Sequence, residues 1–425
     1  MVRHAVVVGG SLGGLTAALL LDEAGFSVSV HERSAQLADR GAGIVAHPDS
    51  LRYLLERDLV DLDEVSIPCG NLRYLDRDGR LVWEEPSGYR FTSWFALYAR
   101  LLDRLPDGAM RFAQALSDFS DDGSAVTVRF GRGEQERCDL LVCADGIAST
   151  ARHLLLPGVE PVYSGYIGWR GTVPFTALDP RLRASLGDHI TYQLLRSGHV
   201  LAYPIPDSGG RASDGGTSLN WIWYRRLGDG SDVTRAMTDS HGRHHDLSVP
   251  PGEVAAAADA ELRQAASTLL SEDLAALVRT TRQPFIQRVV DVEVPQMAFG
   301  RVCLVGDAAF VARPHAAAGT AKAAVDGWSL AAALAGADDV ADGLLRWQPG
   351  QVELGRGLVQ RSRQLGEAQI RGEWLAGDHS LLFGLRAPGD SCFDPTADGS
   401  LPQPRDGHQT ANGSQRGRGS DPARR

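Results

Sequence analysis

The turn Gly9-Gly10-Ser11-Leu12-Gly13-Gly14, with Glu32 downstream, has the residue types needed to hold a dinucleotide. Residues 5–8 read as a short buried strand, residues 12–24 as a helix stopped by Gly25, and residues 27–31 as a second strand ending at Glu32. That order is a dinucleotide fingerprint. Gly9 allows the tight turn and Gly14 lets the helix pack on the strand. The helix N-terminus then offers unpaired N–H groups and partial positive charge to a pyrophosphate, with Leu12 in its first turn. Glu32 stands where a carboxylate accepts hydrogen bonds from a ribose diol. Ser11 replaces the expected second glycine, but its side chain is small enough to leave the approach open. A turn that merely packs a helix on a sheet is the bland alternative. The agreement of strand, helix, acidic residue and N-terminal position weighs against it. The turn alone does not choose between NAD and FAD.

Two further signals favour FAD. Residues 301–305 read as a buried strand ending in Gly306-Asp307. The carboxyl end of a parallel strand lines the ligand crevice, and a carboxylate there suits the hydroxyls of a ribityl chain. Just beyond, Arg313-Pro314-His315-Ala316-Ala317-Ala318-Gly319-Thr320 opens a helix to about residue 334, whose N-terminus would stabilise negative charge on a reduced flavin. The third signal is a strand, then Asp145-Gly146, then Ser149 and Arg152.

These motifs must be positioned by more than one domain, since 425 residues exceed ordinary single-domain size. Hydrophobic residues at 43% allow a sizeable core without disulfides or metals. The net charge of -10 argues against nucleic-acid or anionic-membrane partners, and Lys322 is the only lysine. The five scattered cysteines form no CxxC, so buried thiols in a reducing cytoplasm are expected. No run reaches the ~20 apolar residues of a membrane span. Residues 165–294 are richer in aromatic strands, and residues 253–279 in alanine. The expected fold is α/β (α+β overall): a Rossmann-like FAD-binding domain with an inserted mixed β-sheet substrate domain and C-terminal helices. The FAD domain takes residues 1–70, 96–164 and 295–385, the substrate domain 71–95 and 165–294, and a disordered tail 386–425. A helix is expected within residues 351–375, after Pro349-Gly350.

In this order and spacing, the three motifs resemble the class A flavoprotein aromatic hydroxylases of the para-hydroxybenzoate hydroxylase type. GYIGWRG at 165–171, LAYPIP at 201–206 and RPHAAAG at 313–319 are similar to the 2,6-dihydroxypyridine 3-hydroxylase branch. The resemblance covers about residues 4 to 385. It implies FAD, NADH or NADPH as a transient donor, O2 as co-substrate, and a small aromatic or heteroaromatic substrate. It places Gly9, Gly10, Ser11, Leu12 and Gly14 around the pyrophosphate, and Glu32, Arg33 and Val45 on the adenosine half. Asp307 would take the ribityl chain, Pro314, Gly319 and Thr320 the flavin ring, and Asp145 both FAD and NAD(P)H. Tyr98 stands where many members have arginine. The oligomeric state stays open, a homodimer being one option.

The chemistry implied is transfer of an electrophilic oxygen from a flavin C4a-hydroperoxide to an electron-rich ring, which a base assists by deprotonating a ring hydroxyl. His199 is the candidate base, sharing a strand face with Leu201 and Tyr203. A polar strand residue at a sheet edge is an equally weighted alternative. His315, beside the flavin helix, either touches substrate or caps that helix. Tyr203, Trp221 and Trp223 are candidate pocket walls, although aromatics on strands are more often core. Arg170 is assigned to the domain junction. His241, His244 and His245 read as a solvated loop, not a metal site. Trp221-Ile222-Trp223 is similar to a halogenase motif, but no Ile-Pro follows and the only lysine lies in the flavin helix. Epoxidation or oxygen insertion beside a ketone, and flavin binding without turnover, stay open as alternatives.

Overall fold

The computed structural model describes residues 2–36, 43–207, 216–228 and 230–393. The sequence also reads as a polar, Gly-rich loop from Ser208 to Gly216, of which all but Gly216 lies outside the described residues, as do the tail residues 394–425.

Strand His4–Val8 has four consecutive buried apolar residues, as expected for a strand covered on both faces. It lies within a six-stranded sheet, with Leu140–Cys143 on one side and Ser27–His31 on the other, both parallel to it. Val302–Leu304 and Met110–Arg111 extend the sheet in parallel, and Ala298–Phe299 closes one edge antiparallel. Helix Leu12–Glu23 and helix Gly319–Ala335 meet through small residues. A Cβ on Gly327 would stand 3.2 Å from the Ala17 backbone, and one on Gly13 would stand 2.9 Å from Ala323 Cβ.

The second large sheet is mixed and nine-stranded. Its central strands are Phe285–Glu293, Val162–Pro174, Thr217–Arg226, His199–Pro206 and His189–Leu194, joined antiparallel. Asn71–Leu75 adds in parallel to His189–Leu194, and Leu81–Pro86 forms the edge. One face carries Trp169, Trp221 and Trp223 in a core with Leu262, Leu274 and Leu277 from helices Ala256–Leu269 and Glu272–Thr280. The expected α/β class is the one observed.

Two expectations need correction. The helix placed within 351–375 runs from Val340 to Arg371 and passes through Pro349. An interior proline costs about 3 kcal/mol. Leu344 and Trp347 before it and Val352, Leu358 and Val359 after it are all buried, each contributing about 1.5–3 kcal/mol, so burial outweighs the break. Residues 386–393 do not begin a disordered tail. Asp390 accepts the backbone N–H groups of Leu385, Arg386 and Ala387, and Phe393 donates its own to Gly88. The four cysteines 69, 138, 143 and 303 are buried free thiols and Cys392 is partly buried. Among the described residues no helix is long and apolar enough to cross a membrane.

Candidate active site

A cavity of about 340 Å³ opens between the two large sheets. The N-termini of two helices face it. Helix Leu12–Glu23 has Ser11 as its N-cap and helix Gly319–Ala335 has Ala318, and neither cap residue makes a side-chain capping bond. Ser11, Leu12, Gly13 and Gly14 line one part of the cavity, and Ala318, Gly319 and Thr320 another. Two sets of unpaired N–H groups and two positive dipole ends thus address one space.

The glycines here are required by the close fit. Gly9 has φ +105°, and a Cβ on it would stand 2.2 Å from the Ala144 carbonyl oxygen. A Cβ on Gly14 would stand 1.9 Å from the Gly9 carbonyl oxygen. Glu32 is buried and accepts N–H groups from Gly10 at 3.0 Å and Ser34 at 2.9 Å. Asp307 lines the cavity at the turn after Val302–Leu304. Burial raises its carboxyl pKa, and the nearby Lys322 and Arg152 charges oppose that rise. The turn is braced from two sides. Asp326 accepts the Gly306 N–H at 2.8 Å and pairs with buried Lys322 at 2.6 Å. Buried Arg152 donates to the Ala308 carbonyl at 3.1 Å. These groups fit an FAD, with N–H groups for its phosphates, a carboxylate for its ribityl hydroxyls and a helix end for its ring.

The cofactor residues read from sequence divide into three groups. Ser11, Leu12, Gly14, Val45, Asp307, Pro314, Gly319 and Thr320 line the cavity, while Gly9, Gly10 and Glu32 shape the turn behind it. Asp145 does not line it. Its carboxylate is engaged by the Ser149 hydroxyl and the Ala151 N–H, and Gly146 and Ile147 line the cavity instead. Arg33 is exposed on the surface.

Beyond this cradle the cavity is walled by rings. His199 is buried, with ring centroids of Tyr224, Trp374, His315 and Tyr192 at 5.0, 5.2, 5.6 and 5.8 Å. Its Nδ1 has no hydrogen-bond partner, and burial lowers its pKa to about 3, so it is neutral. His315 is also buried and held well below the ordinary imidazole value, by burial first and then by the neighbouring His199 imidazole and the Arg313 charge. Its Nε2 lies 2.8 Å from the Tyr166 hydroxyl, and its Nδ1 has no partner. Tyr203 lines the chamber and donates to the Gly43 carbonyl at 3.1 Å, while its ring stacks on Phe91 at 4.0 Å. It therefore joins the mixed sheet to strand Gly43–Val45.

Trp221 and Trp223 are not pocket walls. Residues directly opposite in an antiparallel pair share a face. His199, Leu201 and Tyr203 pair with Tyr224, Ile222 and Asn220, while Val200 and Ala202 pair with Trp223 and Trp221. The tryptophans therefore enter the core on the far face, where Trp221 Nε1 donates to Thr281 at 2.8 Å. Sequence reading missed Tyr224 and Tyr192, whose alternation with known cavity residues was the available signal. Arg170, assigned to the domain junction, pairs with cavity-facing Ile222 and lines the chamber between the two large sheets. Of the histidines 241, 244 and 245, only His245 meets a close partner, Asp239 at 2.7 Å. Asp239, His245 and Glu253 cluster closely, but Arg243 donates to both carboxylates, at 3.2 and 2.7 Å. A cation already occupies that position.

Fold and site together define a two-sheet flavoprotein with an aromatic chamber adjoining its cofactor cradle. A family model described as FAD binding domain-like matches residues 163–291. The chain is 36% identical over 389 residues to 2,6-dihydroxypyridine 3-monooxygenase of Paenarthrobacter nicotinovorans, covering 89% of this chain and 95% of that one. It is 27% identical to 6-hydroxynicotinate 3-monooxygenase of Pseudomonas fluorescens, over 77% of this chain and 81% of that one. The solved structure of 2,6-dihydroxypyridine-3-hydroxylase from Arthrobacter nicotinovorans superposes with a TM-score of 0.86 at 34% identity, covering 93% of this chain and 99% of that one. The chain belongs to the FAD-dependent aromatic hydroxylases, a family of monooxygenases.

Proposed function

We propose that the protein hydroxylates a small, electron-rich aromatic or heteroaromatic ring, hydroxypyridine-like or phenol-like, consuming O2 and NADH or NADPH. The observation that carries this reading is the single cavity joining two uncapped helix N-termini to a chamber walled by tyrosines and two buried neutral imidazoles. Bound FAD supplies the redox chemistry, accepting reducing equivalents from the nicotinamide and activating oxygen. The chain's own residues bind, orient and exclude water. Tyr192, Leu201, Ile222 and Tyr224 present apolar ring and aliphatic surface that a planar substrate stacks against. Phe383 closes the chamber, tied by its N–H to the Tyr89 hydroxyl at 2.9 Å. A dry chamber keeps an activated oxygen species from being lost to water.

His199 accepts the proton of a ring hydroxyl. A buried neutral imidazole is a poor base when alone, but an anionic ring forming beside it supplies the countercharge that burial removed. His315, held through Nε2 by Tyr166, presents its other nitrogen as a second polar contact. The test is a screen of dihydroxypyridines, phenols and quinolones. It follows NADH and NADPH oxidation together with product mass under 18O2. Substrate-stimulated oxidation with one labelled oxygen in the product is expected. Binding without stimulation would instead make the chain a flavoprotein without turnover on these rings. An epoxide or ester product would replace hydroxylation with another oxygenation.

A further inference from the structure

We infer that Arg170 is an anion anchor that favours planar aromatic acids in the chamber by gripping their ring carboxylate. This rests on the aromatic chamber proposed above. Among the described residues three arginines line the cavity, and two of them have other partners. Arg313 donates to buried Asp291 through Nε at 3.1 Å and Nη2 at 2.9 Å. Arg288 donates to the Asp246 carbonyl at 3.1 Å and lies over the Tyr163 ring at 4.6 Å. Neither Arg288 nor Arg170 has a carboxylate partner among the described residues, and the buried Nε of each lacks a hydrogen-bond partner, but Arg288 is held by that carbonyl and ring while Arg170 meets only the Tyr224 hydroxyl inside the chamber.

Its place in the sheet directs it inward. Arg170 stands opposite Ile222, which stands opposite Leu201, and all three are cavity residues. Its charge reaches the hydroxyls of Tyr203 and Tyr224, where it opposes the upward pull of burial on both. The other titratable groups at this end, His199 and His315, are neutral. Among the described residues Asp307 is the one carboxylate that lines the cavity, and it belongs to the cofactor turn. A ligand on the sheet side of the cavity therefore meets a fixed cation with no competing anion from the described residues. A guanidinium is pre-organised to grip a planar carboxylate or enolate through two N–H groups.

The experiment titrates the FAD-loaded protein with two isosteric pairs, salicylate against salicylamide and 6-hydroxynicotinate against 6-hydroxynicotinamide, following the flavin absorption spectrum. The wild-type protein should bind the acid of at least one pair about tenfold to a hundredfold more tightly than the amide, the range of a charge-assisted hydrogen bond. Arg170→Gln should bring that ratio close to one by weakening the acid alone. Arg170→Lys, which keeps the charge and the fold but loses the fork, should fall between them. An acid preference unchanged in Arg170→Gln overturns the assignment, as does loss of bound FAD in both variants, which would place Arg170 in the cofactor site. If wild type binds both members of each pair equally, the anchor fails and the aromatic chamber stands. If it binds none of the four compounds the anchor fails, and the chamber is judged by the screen of dihydroxypyridines, phenols and quinolones.

Discussion

His199 sits in the chamber with an unpartnered nitrogen and no charge, so its two states predict two different measurements. As a base it acts mainly in the transition state, where a positioned proton acceptor contributes roughly 10²–10⁴-fold. His199→Asn should therefore slow hydroxylation far more than it weakens substrate binding, and release more hydrogen peroxide per NAD(P)H consumed. Paired product and peroxide assays check this, and a variant with normal coupling and only a raised KM would make His199 a binding residue. The second measurement concerns acid. The unfolded imidazole takes up a proton as pH falls through its ordinary value of 6.5, while the folded one resists until about 3. Between those values the unfolded state holds more protons, so stability present above pH 6.5 is lost progressively as pH falls towards 3. At pH 5 the contribution of His199 is about 2 kcal/mol. The thermal midpoint should therefore drop less between pH 7 and pH 5 in His199→Asn than in the wild-type protein. An equal drop would mean that solvent reaches the ring.

At the scale of elements, the dinucleotide turn between strand His4–Val8 and helix Leu12–Glu23 depends on the absence of side chains. Gly14→Ala places a methyl 1.9 Å from the Gly9 carbonyl, and no flexible side chain is there to give way. The helix must lift off the strand and carry its N–H groups away from the phosphate site. The purified variant should hold a small fraction of the wild-type flavin-to-protein ratio, and a full complement of FAD would show that the turn can relax. This element was legible in the sequence because its requirements are local, with glycine spacing and alternating strand and helix lying within three dozen residues. Trp221 and Trp223 show where legibility ended. Their strand was evident, but which face meets the cavity depends on register with His199–Pro206, and that is fixed by packing on helices 256–269 and 272–280. Arg170 was placed at the domain junction without its chamber face for the same reason, since that follows from which side of the sheet it occupies. Asp145 stands between cavity-lining Ala144 and Gly146 with its carboxylate on Ser149 and Ala151, an arrangement that sequence spacing does not resolve because one carboxylate can cap a helix or serve a ligand.

Across the whole molecule, the chamber is closed by chain far from the cofactor turns in sequence. Gly384 donates to the Ala316 carbonyl, Phe383 lines the cavity, and Asp390 gathers the N–H groups of the segment that follows. Removing residues 394–425 should leave FAD content and substrate-stimulated oxidation close to wild type, because these contacts are complete by Phe393. Truncation after Leu385 removes Asp390 and should raise peroxide release. If the shorter truncation does the same, the tail contributes to closure. Finally, the lone lysine makes the molecule its own reporter. Lys322 is 1% exposed, inside the helix that begins at the flavin cradle. An acylating reagent meets the terminal amine and no other primary amine on the folded surface, so a second adduct records the opening of that helix. Its rate of appearance by mass spectrometry, with and without added FAD, should measure how firmly the cofactor holds the fold shut.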